Sequence, residues 1–191
     1  MGDTSISRRT LLTGCCATPV FARTGAAAAD EESAQFELPQ TGDQLVEVGH
    51  EAAAKPLTPQ DLGLQDLLLA WAYDPRNKIV RNGSRLNMVL LMRFEPATLG
   101  DAERQLAPEG IVAYSAVCTH QQCWVTDWLK SAQVLQCPCH QSQYDLRHSA
   151  KVVGGPAPRS LPALPLNVNN GILDIAGPFT GRVGGEQQQG T

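Results

Sequence analysis

Two short runs dense in cysteine and histidine constrain this chain more than anything else in it. Residues 118–123 read CTHQQC and residues 137–145 read CPCHQSQYD. Four of the six cysteines and two of the four histidines fall between Cys118 and His140. The spacing is Cys118-x-His120, then sixteen residues, then Cys137-x-x-His140, with Cys123 and Cys139 each beside one half. Thiolate and imidazole are donor types of metal sites. The rest of the chain then reads as the scaffold that holds this pocket, or as the leader that delivers it.

The pattern resembles the cluster-binding motif of Rieske iron–sulfur proteins. The resemblance implies that Cys118 and Cys137 bind one iron of a 2Fe–2S cluster and His120 and His140 the other. It also implies a disulfide between Cys123 and Cys139. Replacing two anionic thiolates by neutral imidazoles makes an added electron less costly, and Rieske centres span about −150 to +300 mV against about −400 mV for plant-type ferredoxins. Ser142 and Tyr144 match a serine and a tyrosine that donate hydrogen bonds to sulfur in high-potential members, which raises the expected potential further. Gly154-Gly155-Pro156-Ala157-Pro158 resembles the proline loop that covers the cluster in respiratory members.

A zinc-binding structural module is the alternative from a different class, since zinc takes the same ligand types. A zinc finger, however, pairs cysteine with cysteine and histidine with histidine. Here each half supplies one of each. Cys137-Pro138-Cys139-His140 is not a haem-attachment motif, which needs two residues between its cysteines. A catalytic Cys–His pair fits poorly with cysteines that are already paired.

The N-terminus reads SISRRTLL over residues 5–12, and Arg8-Arg9 followed by Leu11 and Leu12 resembles a twin-arginine export signal. A leader over residues 1–29 is expected, with cleavage near Ala22 or within Ala26–Ala29. The apolar run Thr10–Ala22 is short of the roughly 20 residues that span a bilayer. Export by this route lets a chain fill its metal site inside the cell and close its disulfide in an oxidising compartment. Periplasmic residence is expected, with a membrane-anchored form facing the periplasm as the alternative; membrane contact would run through a partner or an uncleaved leader.

Residues 1–29 hold three arginines and one aspartate out of 15 basic and 19 acidic residues, so the remainder carries a net charge of −6. That balance disfavours nucleic acid as a partner. Gly and Pro are plentiful, 17 and 13, which suits short strands and tight turns. Strands are predicted at Leu67–Tyr73, Leu86–Phe94, Ile111–Val117, Trp124–Trp128, Gln133–Gln136, Gln143–Leu146, Leu164–Val168 and Ile172–Ile175. An edge strand is predicted around Leu45–Val48, turns at Asn82-Gly83 and Asn169-Asn170-Gly171, and a short helix over about 98–106. The tail from Gly177 is expected to fray. The sum is an all-β chain. The resemblance implies the Rieske fold: antiparallel sheets over residues 36–182, a small cluster-binding subdomain at about 112–160, and a flexible tail at 183–191.

The function this implies is electron transfer, one electron at a time on a high-potential cluster, in a relay subunit rather than a catalyst alone. One expectation is the small subunit of a periplasmic oxidoreductase, similar to that of arsenite oxidase, working with a larger subunit and a c-type cytochrome or similar acceptor. The other is the Rieske subunit of a quinol–cytochrome c oxidoreductase. Respiratory members commonly read CTHLGC and CHGS, where this chain has Gln121-Gln122 and Gln141. A polar tip argues against quinol docking, and Gln141 carries strain if its position needs a positive φ.

Overall fold

The computed structural model describes residues 33–185, together with Met1. The twin-arginine motif, the rest of the expected leader and residues 186–191 lie outside the described residues. Among the described residues no helix is long and apolar enough to cross a membrane.

Among the described residues eleven strands form two antiparallel sheets. They are β1 Gln44–Glu47, β2 Leu67–Asp74, β3 Ile79–Val80, β4 Val89–Arg93, β5 Ile111–Ser115, β6 Asp127–Leu129, β7 Val134–Gln136, β8 Gln143–Asp145, β9 Lys151–Gly154, β10 Leu166–Asn169 and β11 Ile172–Ile175. The larger sheet has the order β10-β11-β1-β2-β4-β5, with β3 paired to β2. The smaller is the meander β6-β7-β8-β9. A short α-helix, α1 Asp101–Leu106, lies between β4 and β5, inside the expected 98–106.

The apolar runs of the larger sheet bury both faces. Side chains alternate across a strand, and here the alternation assigns them to two cores. Leu45, Ala70, Ala72, Val89, Leu91, Ile111 and Ala113 pack with Leu164, Leu166, Leu173 and Ile175 on one face. Val46, Trp71, Leu90, Met92, Val112 and Tyr114 face the other way, onto Leu135, Tyr144 and Leu146 of the smaller sheet. Backbone bonds from Leu164 N to Ala113 O (2.9 Å) and from Ser115 N to Pro162 O (3.0 Å) bring the chain leading into β10 against β5, so the larger sheet curls on itself. Tyr114 is buried, and its hydroxyl donates to Leu146 O at 2.9 Å, fixing one sheet to the other.

Three local expectations are corrected. β1 is interior: it pairs with β2 on one side and with β11, from the far end of the chain, on the other. The reversal between β2 and β3 falls at 75–78, with Lys78 at φ 59°, instead of at Asn82-Gly83. The strand expected from Leu86 starts at Val89, because Arg85–Asn87 forms a 3-10 turn whose cap, Ser84 Oγ, accepts from Leu86 N at 3.2 Å. β9 was not expected, because its exposed Lys151 and Val153 give no apolar run.

A buried ion group ties the start of the described chain to this framework. Arg81 donates to both oxygens of Asp43, Nε at 2.6 Å and Nη2 at 3.4 Å, and through Nη1 to Ala34 O and Glu37 Oε2. Asn87 Nδ2 donates to the carbonyls of Gln35, Glu37 and Arg81. Asp43 is 1% exposed and Arg81 4%, so removing Asp43 leaves a buried guanidinium with only the exposed Glu37 carboxylate at 2.8 Å and Asp74 at 3.8 Å to compensate it. Asp43→Ala is expected to cost about 3–5 kcal/mol in denaturant unfolding; a loss under about 1 kcal/mol would mean the pair is not the anchor it looks like.

Candidate metal centre

The two Cys/His runs fold as the tips of two hairpins with the same backbone closure. In the first, an isolated bridge joins Val117 to Trp124, Cys118 N donates to Cys123 O at 2.8 Å, and Gln122 N donates to Cys118 O at 3.0 Å. In the second, Gln136 pairs with Gln143, Cys137 N donates to Ser142 O at 2.8 Å, and Gln141 N donates to Cys137 O at 3.0 Å. The first tip hangs from β5 of the larger sheet, and the second joins β7 to β8 of the smaller. Each tip turns on a residue at positive φ, Gln122 at 59° and Gln141 at 58°. A left-handed conformation costs a side-chain-bearing residue roughly 1–2 kcal/mol.

The tips meet through the Cys123–Cys139 disulfide, 6.5 Å between Cα atoms. Cys118 and Cys137 are free thiols, each 1% exposed. Cys137 Sγ lies within 4.8 Å of both disulfide sulfurs. Burial pushes the Cys137 thiol above its ordinary pKa, and neighbouring Cys118 adds to the rise, against backbone hydrogen bonds at Cys139 and His140 that lower it. The His120 and His140 rings stand edge to face with centroids 4.7 Å apart. His140 is exposed and His120 half-buried. His120 Nδ1 and Ser142 Oγ are buried without a protein hydrogen-bond partner.

Behind the first tip, Tyr144 is fully buried and its hydroxyl lies 3.3 Å from Cys118 Sγ. Thr119 N donates to the same oxygen at 3.4 Å, and Thr119 Oγ1 also lies 3.4 Å from it, so the phenol proton has both Cys118 Sγ and Thr119 Oγ1 within reach. Burial, reinforced by Cys118, holds Tyr144 far above the ordinary phenol pKa, so it remains a donor. The sequence reading missed Thr119, whose Oγ1 donates to Arg159 O at 2.6 Å. Its place between Cys118 and His120 was the available signal. Gly155 backs the second tip. Its φ is 78°, and a Cβ there would come within 2.6 Å of Ser142 Cα and 2.7 Å of Gln141 O.

An antiparallel β chain that gathers thiols and imidazoles at two adjoining hairpin tips has the donor chemistry of an iron–sulfur protein. Residues 93–165 match the Rieske [2Fe-2S] domain family. The cytochrome bc1 complex Rieske iron-sulfur subunit of Streptomyces lividans is 35% identical over 134 residues, covering 68% of this chain and 79% of that protein. The chain belongs to the Rieske family, and its cofactor is a 2Fe–2S cluster. The corresponding subunit of Streptomyces coelicolor is also 35% identical over 134 residues, 68% of this chain but 38% of its own length. A putative respiratory nitrate reductase subunit Rieske of Haloferax mediterranei is 40% identical over 106 residues, 54% of this chain and 47% of its own. The chain thus spans under half the length of these last two relatives.

Gly155→Ala is expected to displace the second tip and lower the thermal midpoint by several degrees, as about 1–3 kcal/mol of overpacking would. Gln141→Gly, in contrast, should be neutral or slightly stabilising, since relief of the left-handed strain outweighs the added unfolded-state entropy of roughly 0.5–1 kcal/mol. Melting curves of the two variants check both; a Gln141→Gly midpoint falling as far as that of Gly155→Ala would contradict the strain at the tip.

Proposed function

We propose that this chain relays single electrons as the Rieske subunit of a quinol–cytochrome c oxidoreductase, with Cys118 and Cys137 holding one iron and His120 and His140 the other. The observation that carries the choice of complex is the match to the S. lividans bc1 subunit over 79% of that protein. A second reading, the small subunit of a periplasmic oxidoreductase of the arsenite oxidase type, is favoured by the polar tip residues Gln121 and Gln122 and by the likeness to the Haloferax nitrate reductase subunit.

The donor set fits the group. Two buried unpaired thiols and a buried, unpartnered imidazole nitrogen at the two adjoining tips suit mixed cysteine–histidine ligation, and a fourth buried group, Ser142 Oγ, has its proton free for a sulfur acceptor. A bound cluster supplies a one-electron couple at the potentials of Rieske centres. Around it the residues have separate tasks. Tyr144 donates toward Cys118 Sγ and Ser142 offers a second donor, so both drain charge from the sulfur side and raise the potential. The disulfide keeps the two tips from parting as charge changes. Exposed His140 presents the site to a partner.

The unit that does this spans about 112–160, within a domain of 36–182. Its disulfide supports an oxidising compartment, and with the Arg8-Arg9 leader it supports export to the periplasm, the second location being at the membrane facing the same side. The partners of this reading are the larger subunits of the complex and a c-type cytochrome acceptor.

Deleting the gene should abolish quinol-dependent cytochrome c reduction by membranes, and restoring the chain should return it. Membranes that keep full activity would favour the arsenite oxidase type of assembly instead. Tyr144→Phe should keep the cluster while lowering its potential on the order of 50 mV, the size expected if a hydrogen bond to a charged sulfur favours the reduced state by about 1 kcal/mol. Voltammetry on the purified protein reads this; an unmoved potential would remove Tyr144 from the tuning set.

A further inference from the structure

The C-terminal stretch, expected to fray, is packed against the first tip as far as it is described. Gly184 and Gly185 are buried. Gly185 crosses the backbone of the tip so closely that a Cβ on it would stand 2.6 Å from His120 O and 3.4 Å from Thr119 O. A Cβ on Gly184 would stand 3.4 Å from the Gln122 side chain and 3.2 Å from Leu86 Cδ2.

One residue holds this crossing in place. Arg159 Nη1 donates to Arg182 O at 2.6 Å, and Arg159 Nη2 donates to Gly184 O. Arg182 Nη2 in turn donates to Gly185 O at 2.7 Å. Arg159 also faces inward through its backbone, where its carbonyl accepts from Thr119 Oγ1 at 2.6 Å. Thr119 N is bonded to the Tyr144 hydroxyl that reaches Cys118 Sγ. Neither arginine has a carboxylate partner among the described residues. Their donors are committed to carbonyls of the strap.

We propose that Arg159 is a positioning residue that straps residues 182–185 across Thr119–Gln122 and so holds the first tip, and with it Cys118 and His120, in place for the cluster. The inference rests on the ligand reading given above. The tip is held by different means at different residues: the strap closes on the backbone carbonyls of Thr119 and His120, and the disulfide holds Cys123. The second tip has no counterpart strap among the described residues. It is backed by Gly155, twelve or more residues away from either tip in sequence, through a close approach that uses no arginine.

The test uses the full-length holoprotein and reads each tip separately by amide hydrogen exchange with mass spectrometry. Arg159→Gln removes the grip and the charge. Arg159→Lys keeps the charge without the two-pronged grip. Gly185→Ala keeps Arg159 and forces the strap off His120 O. Exchange at 118–122 is expected to rise about tenfold in Arg159→Gln and Gly185→Ala, the scale of losing one or two well-made hydrogen bonds, with a smaller rise in Arg159→Lys. Exchange at 137–142 is expected to stay within twofold of the wild type. The EPR g-values should shift in the two stronger variants. Equal acceleration at both tips would show general loosening and overturn the proposal, as would unchanged exchange at 118–122 in Gly185→Ala. If instead the wild-type holoprotein lacked a Rieske-type EPR spectrum, the ligand reading itself would fail, and the exchange data would still report on the strap.

Discussion

The structure turns on one covalent bond between two loops that come from different sheets. Cys123 lies on a tip carried by β5, and Cys139 on a tip carried between β7 and β8. Each tip is held along its own hairpin by the same pair of backbone bonds, Cys N to the carbonyl five residues on and the carbonyl of that Cys to the Gln four residues on. Those bonds fix each tip internally but say nothing about how the tips face one another. The disulfide, supported by Tyr114 bridging the sheets through Leu146 O, sets that relation. Together with the core the two sheets share, that relation brings Cys118, Cys137, His120 and His140 to one end of the molecule.

The shared backbone closure carries unlike side chains. Histidine is two residues after the first cysteine in one tip and three after in the other, and the bridging cysteine is five after in one and two after in the other. A symmetric frame with offset substituents puts the disulfide to one side and one ring, His140, in solvent while Cys118, Cys137 and most of His120 are covered. The exposed ring and the sealed sulfur side therefore come from sequence offsets alone, on the same backbone closure.

The candidate ligands and the disulfide were legible through the family resemblance, because a motif of side-chain chemistry at fixed spacing survives any error in strand boundaries. The long apolar strands β2, β4 and β5 were legible for a related reason: burial on both faces leaves continuous runs such as VLLM. What the sequence hid depends on contacts between distant segments. β1 became interior only through β11, whose sequence position lies more than a hundred residues away. β9, with Lys151 and Val153 outward, is a strand because β8 pairs with it. The strap was hidden most completely, since glycines read as freedom when alone and as closeness only when the opposing carbonyl is known. Gln141 shows the middle case. The family comparison flagged it as a glycine position, and the backbone at φ 58° gives the flag its physical content.

That the two tips descend from separate sheets bears on how the protein matures. Neither sheet alone presents more than one thiol and one ring from the proposed ligand set. A half-folded chain with one sheet formed offers a two-coordinate fragment, too weak to retain iron. Ligand binding and the docking of one sheet on the other are then the same event, and metal affinity is drawn from folding free energy. Loading thus becomes a checkpoint on tertiary structure: a chain that has captured its iron has, by that fact, already brought β5 and β7 together.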